Sequence, residues 1–350
     1  MATTDPGTRP SFAREVKSAV TTRAAALVIG VLVLQFAFIA SYVGAFHSPK
    51  PKNIALAVVA PEQAREQLMA KLDKVPGDAL DPRAAADEAK AVRQIRERDV
   101  DAALIVDPRG STDRLLVASG GGASLSQAVE QVVTAAEKSQ QRTVKTQDIA
   151  PVAKGDARGL SSFYLVVGWC VGGYLCAAIL AISAGARPAN PRRAVIRLGT
   201  LALYSIASGI GGAVIMGPIL EALPGSILGL WGLGALVVFA VGATTLAFQG
   251  LAGIVGIGLA IAVVVVLGNP SAGGAYPYPL LPGFWRAIGP ALPPGAGTWT
   301  ARSIAYFRGN AVTGPLLVLS AWAVAGSVIT LLFAAFKKPT DEAIATRPPR

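Results

Sequence analysis

The run "AAALVIGVLVLQFAFIASYVGAF" (24–46) carries no charged residue and is about as long as the ~20 apolar residues a helix needs to cross a bilayer. Five further apolar runs follow, at roughly 161–184, 197–220, 226–248, 250–268 and 312–336. Runs of this kind leave little freedom: the expected architecture is a polytopic α-helical membrane protein with six transmembrane helices. Composition agrees, since only 15% of residues are charged, against roughly 25% in an average soluble domain. The first run exceeds the apolar core of about 7–15 residues found in signal peptides, and no small-x-small site precedes "HSPKPKN". It reads as an uncleaved first span.

The net charge of +11 invites a nucleic-acid reading, so its distribution matters. Residues 47–158 hold 17 Lys+Arg against 16 Asp+Glu, leaving the excess to the tails and membrane loops. That pattern is the positive-inside rule, and no nucleic-acid partner is expected. The loop "GARPANPRRAVIR" carries Arg187, Arg192, Arg193 and Arg197 and is assigned to the cytoplasm. "EALPGS" (221–226) has no base and is assigned outside, while "QG" (249–250) is read as a tight hairpin joining spans four and five. The parts are then a cytoplasmic segment (1–22), span one (23–46), an extracytoplasmic domain (47–158), a five-helix membrane domain (159–336) and a cytoplasmic tail (337–350) opening on Lys337 and Lys338. The chain is expected in the cell membrane, in contact with its lipids, with both termini in the cytoplasm.

Residues 47–158 look like a water-soluble α/β unit inserted between spans one and two. "NIALAVVAP" (53–61), "AALIVD" (102–107) and "RLLVAS" (114–119) have the β-branched apolar character of strands. "EQAREQLMAKLD" (62–73) and "PRAAADEAKAVRQIRERD" (82–99) read as amphipathic helices. In "SLSQAVEQVVTAAEKSQQ" (124–141) the helical period places Leu125, Val129, Val132 and Ala136 on one face. "RTVKTQDIAP" (142–151) reads as an extended segment returning to the membrane.

The chemistry the spans lack is informative. Between Arg158 and Asp341 the only acidic residue is Glu221, so the buried carboxylates of ion-coupled transporters are missing. His47, the only histidine, stands where span one ends, with no carboxylate or cysteine near it in sequence. Cys170 and Cys176, six residues apart on one helix, point about 240° from each other and cannot pair. "GGGAS" (120–124) lacks the GK[ST] ending of a phosphate loop. No catalytic set, metal site or cofactor site is expected. The spans are rich in small residues instead, in "GWCVG", "GSILG", "GIGGA" and "GLAGIVGIG". Close helix packing explains them, within one chain or at a homodimer face.

"PLLPGFWRAIGPALPPGAGTWTARSIAYFRGN" (279–310) holds five prolines, five glycines, two tryptophans and three arginines between two apolar runs. "PGFWRAIGPAL" reads as a short interfacial helix with Trp285 at headgroup level and Arg286 reaching phosphates. Irregular backbone near membrane depth is tolerated only inside protein or beside a watery cavity. Residues 279–310, within an outer segment 269–311, are therefore a candidate lid or re-entrant element at the outer mouth, with Phe284, Trp285, Arg286, Trp299, Arg302 and Arg308 as the candidate residues. The competing reading is an aromatic belt that anchors a loop.

One span, an outer α/β insertion and five more spans resemble the ABC-2 type membrane proteins, in particular the phage-infection-protein (YhgE/Pip) and DUF3533 branch. "NIALAVVAP" after span one, "RERDVDAALIVDPRGSTD" (96–113), "SSFYLVVGWCVGGYL" and "LLPGFWRAIGPALPPGAG" carry the likeness. The resemblance implies a permease exporting a lipophilic or cell-envelope substrate with a separate cytoplasmic ATPase. That subunit would couple through Arg187, Arg192, Arg193 and Arg197 and the segment 10–22. An envelope scaffold whose outer domain binds a protein partner is the alternative.

Overall fold

The computed structural model describes residue 12, residues 21–185 and residues 188–336. The chain folds as a helical bundle carrying a mixed five-stranded sheet with its own helices. Arg187, most of the 10–22 segment, and Lys337 and Lys338 lie outside the described residues.

Five helices are long and apolar enough to cross a membrane. They are α1 (Thr22–Phe46), α5 (Ser161–Ala184), α6 (Pro191–Ile219), α7 (Ile227–Ala252) and α11 (Thr313–Phe336). Helix α6 starts six residues before the expected 197, because Asn190 accepts from Arg193 N at 2.9 Å and Pro191 fits the first turn. Arg192, Arg193 and Arg197 therefore lie on a helix and not in a loop. Its last turn, Ile215–Ile219, is π-helical and contains Pro218. Helix α7 runs through the expected "QG" hairpin; the turn falls at Gly253, whose φ of 61° suits glycine. The expected fifth span is the shorter helix α8 (Val255–Ser271), wound as a π-helix over Ala262–Gly268.

Helix α7 is the axis of the bundle, packing against α5, α6, α8 and α11. Glycines make the approach possible: a Cβ at Gly212 or Gly234 would press into the Trp169 indole, which donates to Ser208 O at 3.3 Å. Gly172 likewise faces Tyr204, so these small residues serve packing within the chain. Helix α1 stands apart and meets the rest chiefly at its C-terminal end, against α8.

The α/β part comprises β1 (Ile54–Val59), α2 (Glu62–Asp73), β2 (Leu80–Ala84), α3 (Glu88–Glu97), β3 (Ala102–Ile105), β4 (Thr112–Val117), α4 (Ala123–Lys138) and β5 (Thr143–Asp148). The sheet order is β2-β1-β3-β4-β5, with only the β3–β4 pair antiparallel. The expected helix 82–99 is divided: 82–84 belong to β2, and α3 begins after Asp87, whose side chain accepts from Lys90 N at 2.7 Å. Pro82 is tolerated in β2 because β2 is an edge strand. On α4 the fully buried face is Leu125, Val129, Val133 and Glu137; Val132 and Ala136 are only partly buried.

Strand β1 alternates, sending Ile54, Leu56 and Val58 to one face and Ala55 and Ala57 to the other. Neither core is closed by residues 47–158 alone. Leu280 and Tyr276 join the first, and Phe307 and Tyr306 join the second. The Pro/Gly/Trp-rich segment thus belongs to both halves of the molecule.

Candidate functional site

The segment 276–310 divides into two physically different pieces. Residues 278–291 wrap the junction as short turns around α9 (Gly283–Ile288), the expected interfacial helix. Residues Pro293–Tyr306 then form α10, buried against α5, α7 and α11. Two prolines do not break α10, since they occupy its first turn where no N–H partner is needed. Its close seat needs glycine: a Cβ at Gly295 would overlap the Gly289 carbonyl oxygen.

Arg98 connects this helix to the α/β domain. It ends α3 in a left-handed conformation, φ 64°, and its guanidinium donates to Trp299 O at 3.0 Å and Ser303 Oγ at 2.8 Å. The same group stacks 3.4 Å over the centre of the Trp299 ring and 4.9 Å from that of Phe307. Tyr278 stacks on Trp299, with ring centres 6.1 Å apart and planes 16° from parallel. Burial lowers the Arg98 pKa to about 9, helped by the positive charge of Arg302 and opposed by Asp101. The Asp101 carboxyl is itself pushed up by burial, although it accepts from Ala55 N at 3.0 Å.

Arg302, one turn beyond Trp299, is 3% exposed. It donates to Gly273 O at 2.6 Å, Gly274 O at 2.7 Å and Gly159 O at 3.2 Å. Tyr306 donates to Asp156 Oδ2 at 2.7 Å, while Asp156 Oδ1 accepts from Ser161 N at 2.8 Å at the start of α5. Arg98, Arg302, Tyr278 and Trp299 line one cavity of about 50 Å³. Arg302 Nε and the Tyr278 hydroxyl have no hydrogen-bond partner among the described residues. Asp101 also lines the cavity and offsets part of the charge of the two arginines, so the space suits ordered water. It offers no nucleophile paired with a base.

The other expected residues separate. Trp285 is half-buried beside Gly44 of α1, and Phe284 is 59% exposed. Arg286 does not reach outward: it donates to Lys52 O and Leu281 O, both at 3.3 Å, and so ties α9 to the linker after α1. Arg308 is exposed, with φ 56°. At the far end of the bundle Arg192 and Arg193 are exposed. Arg197 is 4% exposed and donates to Ala184 O and Gly185 O, both at 2.7 Å, capping α5.

Two of the six expected mouth residues, Trp299 and Arg302, meet at the cavity; Arg98 and Tyr278 went unforeseen. Arg98 lies about two hundred residues from its partners, and a basic residue in a run of surface charges carries no local signal of burial. Among the described residues no group of three or more His, Cys, Asp or Glu is placed to hold a metal. Compared with family models, curated proteins and solved structures, the chain gives no match.

Proposed function

We propose that this chain is a multi-pass membrane transport protein of ABC-2 permease type, exporting a lipophilic or cell-envelope substrate with a separate ATPase. In this reading it lies in the cell membrane with six spans, both termini in the cytoplasm and the α/β domain outside. One observation carries the proposal. Helix α8 ends at Asn269–Pro270–Ser271 after a π-helical stretch, and the buried half-helix α10 packs against that end. Interrupted helices within a bundle are where transporters place substrate groups, and π-helical turns concentrate at functional sites. The clamp from Arg98 to α10 would then let the outer domain follow movement of the broken pair.

The test is recovery of a cytoplasmic ATPase with the full chain. Arg192→Glu/Arg193→Glu should abolish that recovery and the export phenotype together, because both arginines are exposed on the first turn of α6, where this reading puts the ATPase contact. Arg197→Glu is unsuitable, since Arg197 caps α5. Recovery of no ATPase, together with a phenotype indifferent to ATPase loss, would overturn the transport reading.

The scaffold reading draws on a different observation: segment 276–307 completes both cores of the α/β domain and so fixes it to the bundle. A rigid platform for an envelope protein needs that fixity and no moving parts. Substitutions along α8 and α10 that abolish function without loss of folded protein would exclude it.

A further inference from the structure

A second site lies on the α/β domain, away from the arginine cavity. Helices α2 and α4 cover the same face of the sheet but diverge, opening a groove of about 910 Å³ between them. Its floor is apolar, built from Leu72, Val75, Val132 and Ala136. Its rim carries Lys50, Lys71 and Lys74, all exposed, and no carboxylate lines it among the described residues. Lys71 donates to Gln140 Oε1 at 3.2 Å. Glu137, next to Ala136 on α4, is buried and turned towards Arg142 at 3.9 Å, with an attraction for Lys71. Asp73, the last residue of α2, and Asp78, on the turn that follows, do not line the groove.

The position of the groove is as telling as its lining. Lys50 and Pro51 belong to the linker that leaves α1, whose last residue is Phe46. Four or five extended residues reach at most about 18 Å, so the groove opens close to where α1 leaves the membrane. Lys52 N donates to Pro279 O at 2.9 Å, and Arg286 donates to Lys52 O, holding that linker in place. A groove of this size falls within the roughly 300–1,000 Å³ of small-molecule sites.

We propose that the groove between α2 and α4 takes one anionic amphiphile from the leaflet on the α/β-domain side. The acyl chain would lie over Val75, Val132 and Ala136, with the phosphate or carboxylate head among Lys50, Lys71 and Lys74. The apolar floor favours a hydrocarbon chain over an acidic peptide, whose backbone would bury unpaired polar groups there. The three ammonium groups select negative charge and, standing on the rim, keep that charge solvated. Nothing in this proposal requires transport, so it stands or falls separately from the permease reading.

Native mass spectrometry of the full chain, released from detergent and titrated with phosphatidylglycerol, counts the lipids retained. Wild type should hold one phosphatidylglycerol more than Ala135→Trp, which places an indole in the groove, and phosphatidylcholine should not replace it. Lys71→Gln/Lys74→Gln should weaken retention about tenfold, the loss of two solvent-screened charge contacts. Circular dichroism checks that the variants fold; should Ala135→Trp not fold, Gln131→Trp at the same groove is read instead. Equal lipid counts in wild type and the folded filler variant would overturn the proposal. So would equal retention of phosphatidylcholine, or competition by glycerol phosphate alone, which would make it a soluble-anion site.

Discussion

Glu137 should make the stability of the α/β domain depend on pH. Burial, and then the nearby Asp113 carboxylate, raise its pKa from 4.5 to about 7. Below 4.5 folded and unfolded chains both hold the proton, and the native state keeps its full stability. As pH rises from there to about 7 the unfolded chain ionises first, so stability is lost across that window and levels off above it. Glu137→Gln imitates the protonated side chain and should remove this component. Thermal midpoints of wild type and Glu137→Gln should therefore coincide near about pH 4 and separate by about pH 8, with the variant higher; parallel curves would refute the assignment. Arg98 invites a second substitution. Its planar guanidinium stacks on Trp299 while donating twice to α10, which an ammonium on a single stem cannot reproduce. Arg98→Lys should cost about 1–2 kcal/mol, read as a lowered thermal midpoint and a shifted tryptophan emission.

At the scale of elements, the two pieces of the Pro/Gly/Trp-rich segment should behave differently towards solvent. Cysteine scanning with a membrane-impermeant thiol reagent should label positions 283, 284 and 287, where α9 is exposed, and fail at the buried positions 293–298 and 300–303 along α10. Uniform labelling across 282–303 would show that α10 does not seat in the bundle. The segment was visible in the sequence as one that suits neither water nor lipid, but its division was not. Whether "PPGAGTWTARS" forms a helix depends on what it packs against, and close approach at Gly289 and Gly295 is a property of the assembled bundle. The long apolar helices were legible because length and hydropathy determine them locally. Strand β2 was missed for the opposite reason: "LDPRA" has two charges and a proline and becomes a strand only by pairing beside β1. The start of α6 was misplaced because charged Arg192 and Arg193 read as loop, whereas the Asn190 cap and Pro191 start the helix before them. The cavity was half legible. Trp299 and Arg302 stood out by residue type, while Arg98 and Tyr278 acquire meaning only through contacts distant in sequence.

Taken whole, the molecule is not an independent domain planted on a bundle. Leu280 closes one face of the sheet and Phe307 the other, each burying apolar surface of roughly 1.5–3 kcal/mol. Residues 47–158 expressed alone should therefore bind hydrophobic dyes and aggregate, although the sequence suggests a soluble unit. Leu280→Ser/Phe307→Ser in the full chain should loosen the α/β domain, seen as faster amide exchange in β1 and β3, without unfolding the long helices. A cooperative, soluble 47–158 fragment with native exchange rates would contradict this. The same dependence sets a schedule for biogenesis. Strand β5 ends at Asp148, whereas Phe307 is synthesised roughly 160 residues later, a delay of roughly 10–30 s at ordinary ribosomal speeds. Throughout that interval the nascent sheet, covered only by its own helices, waits with its second core lacking Phe307, the period in which a chaperone would be needed and a stalled ribosome would do most harm.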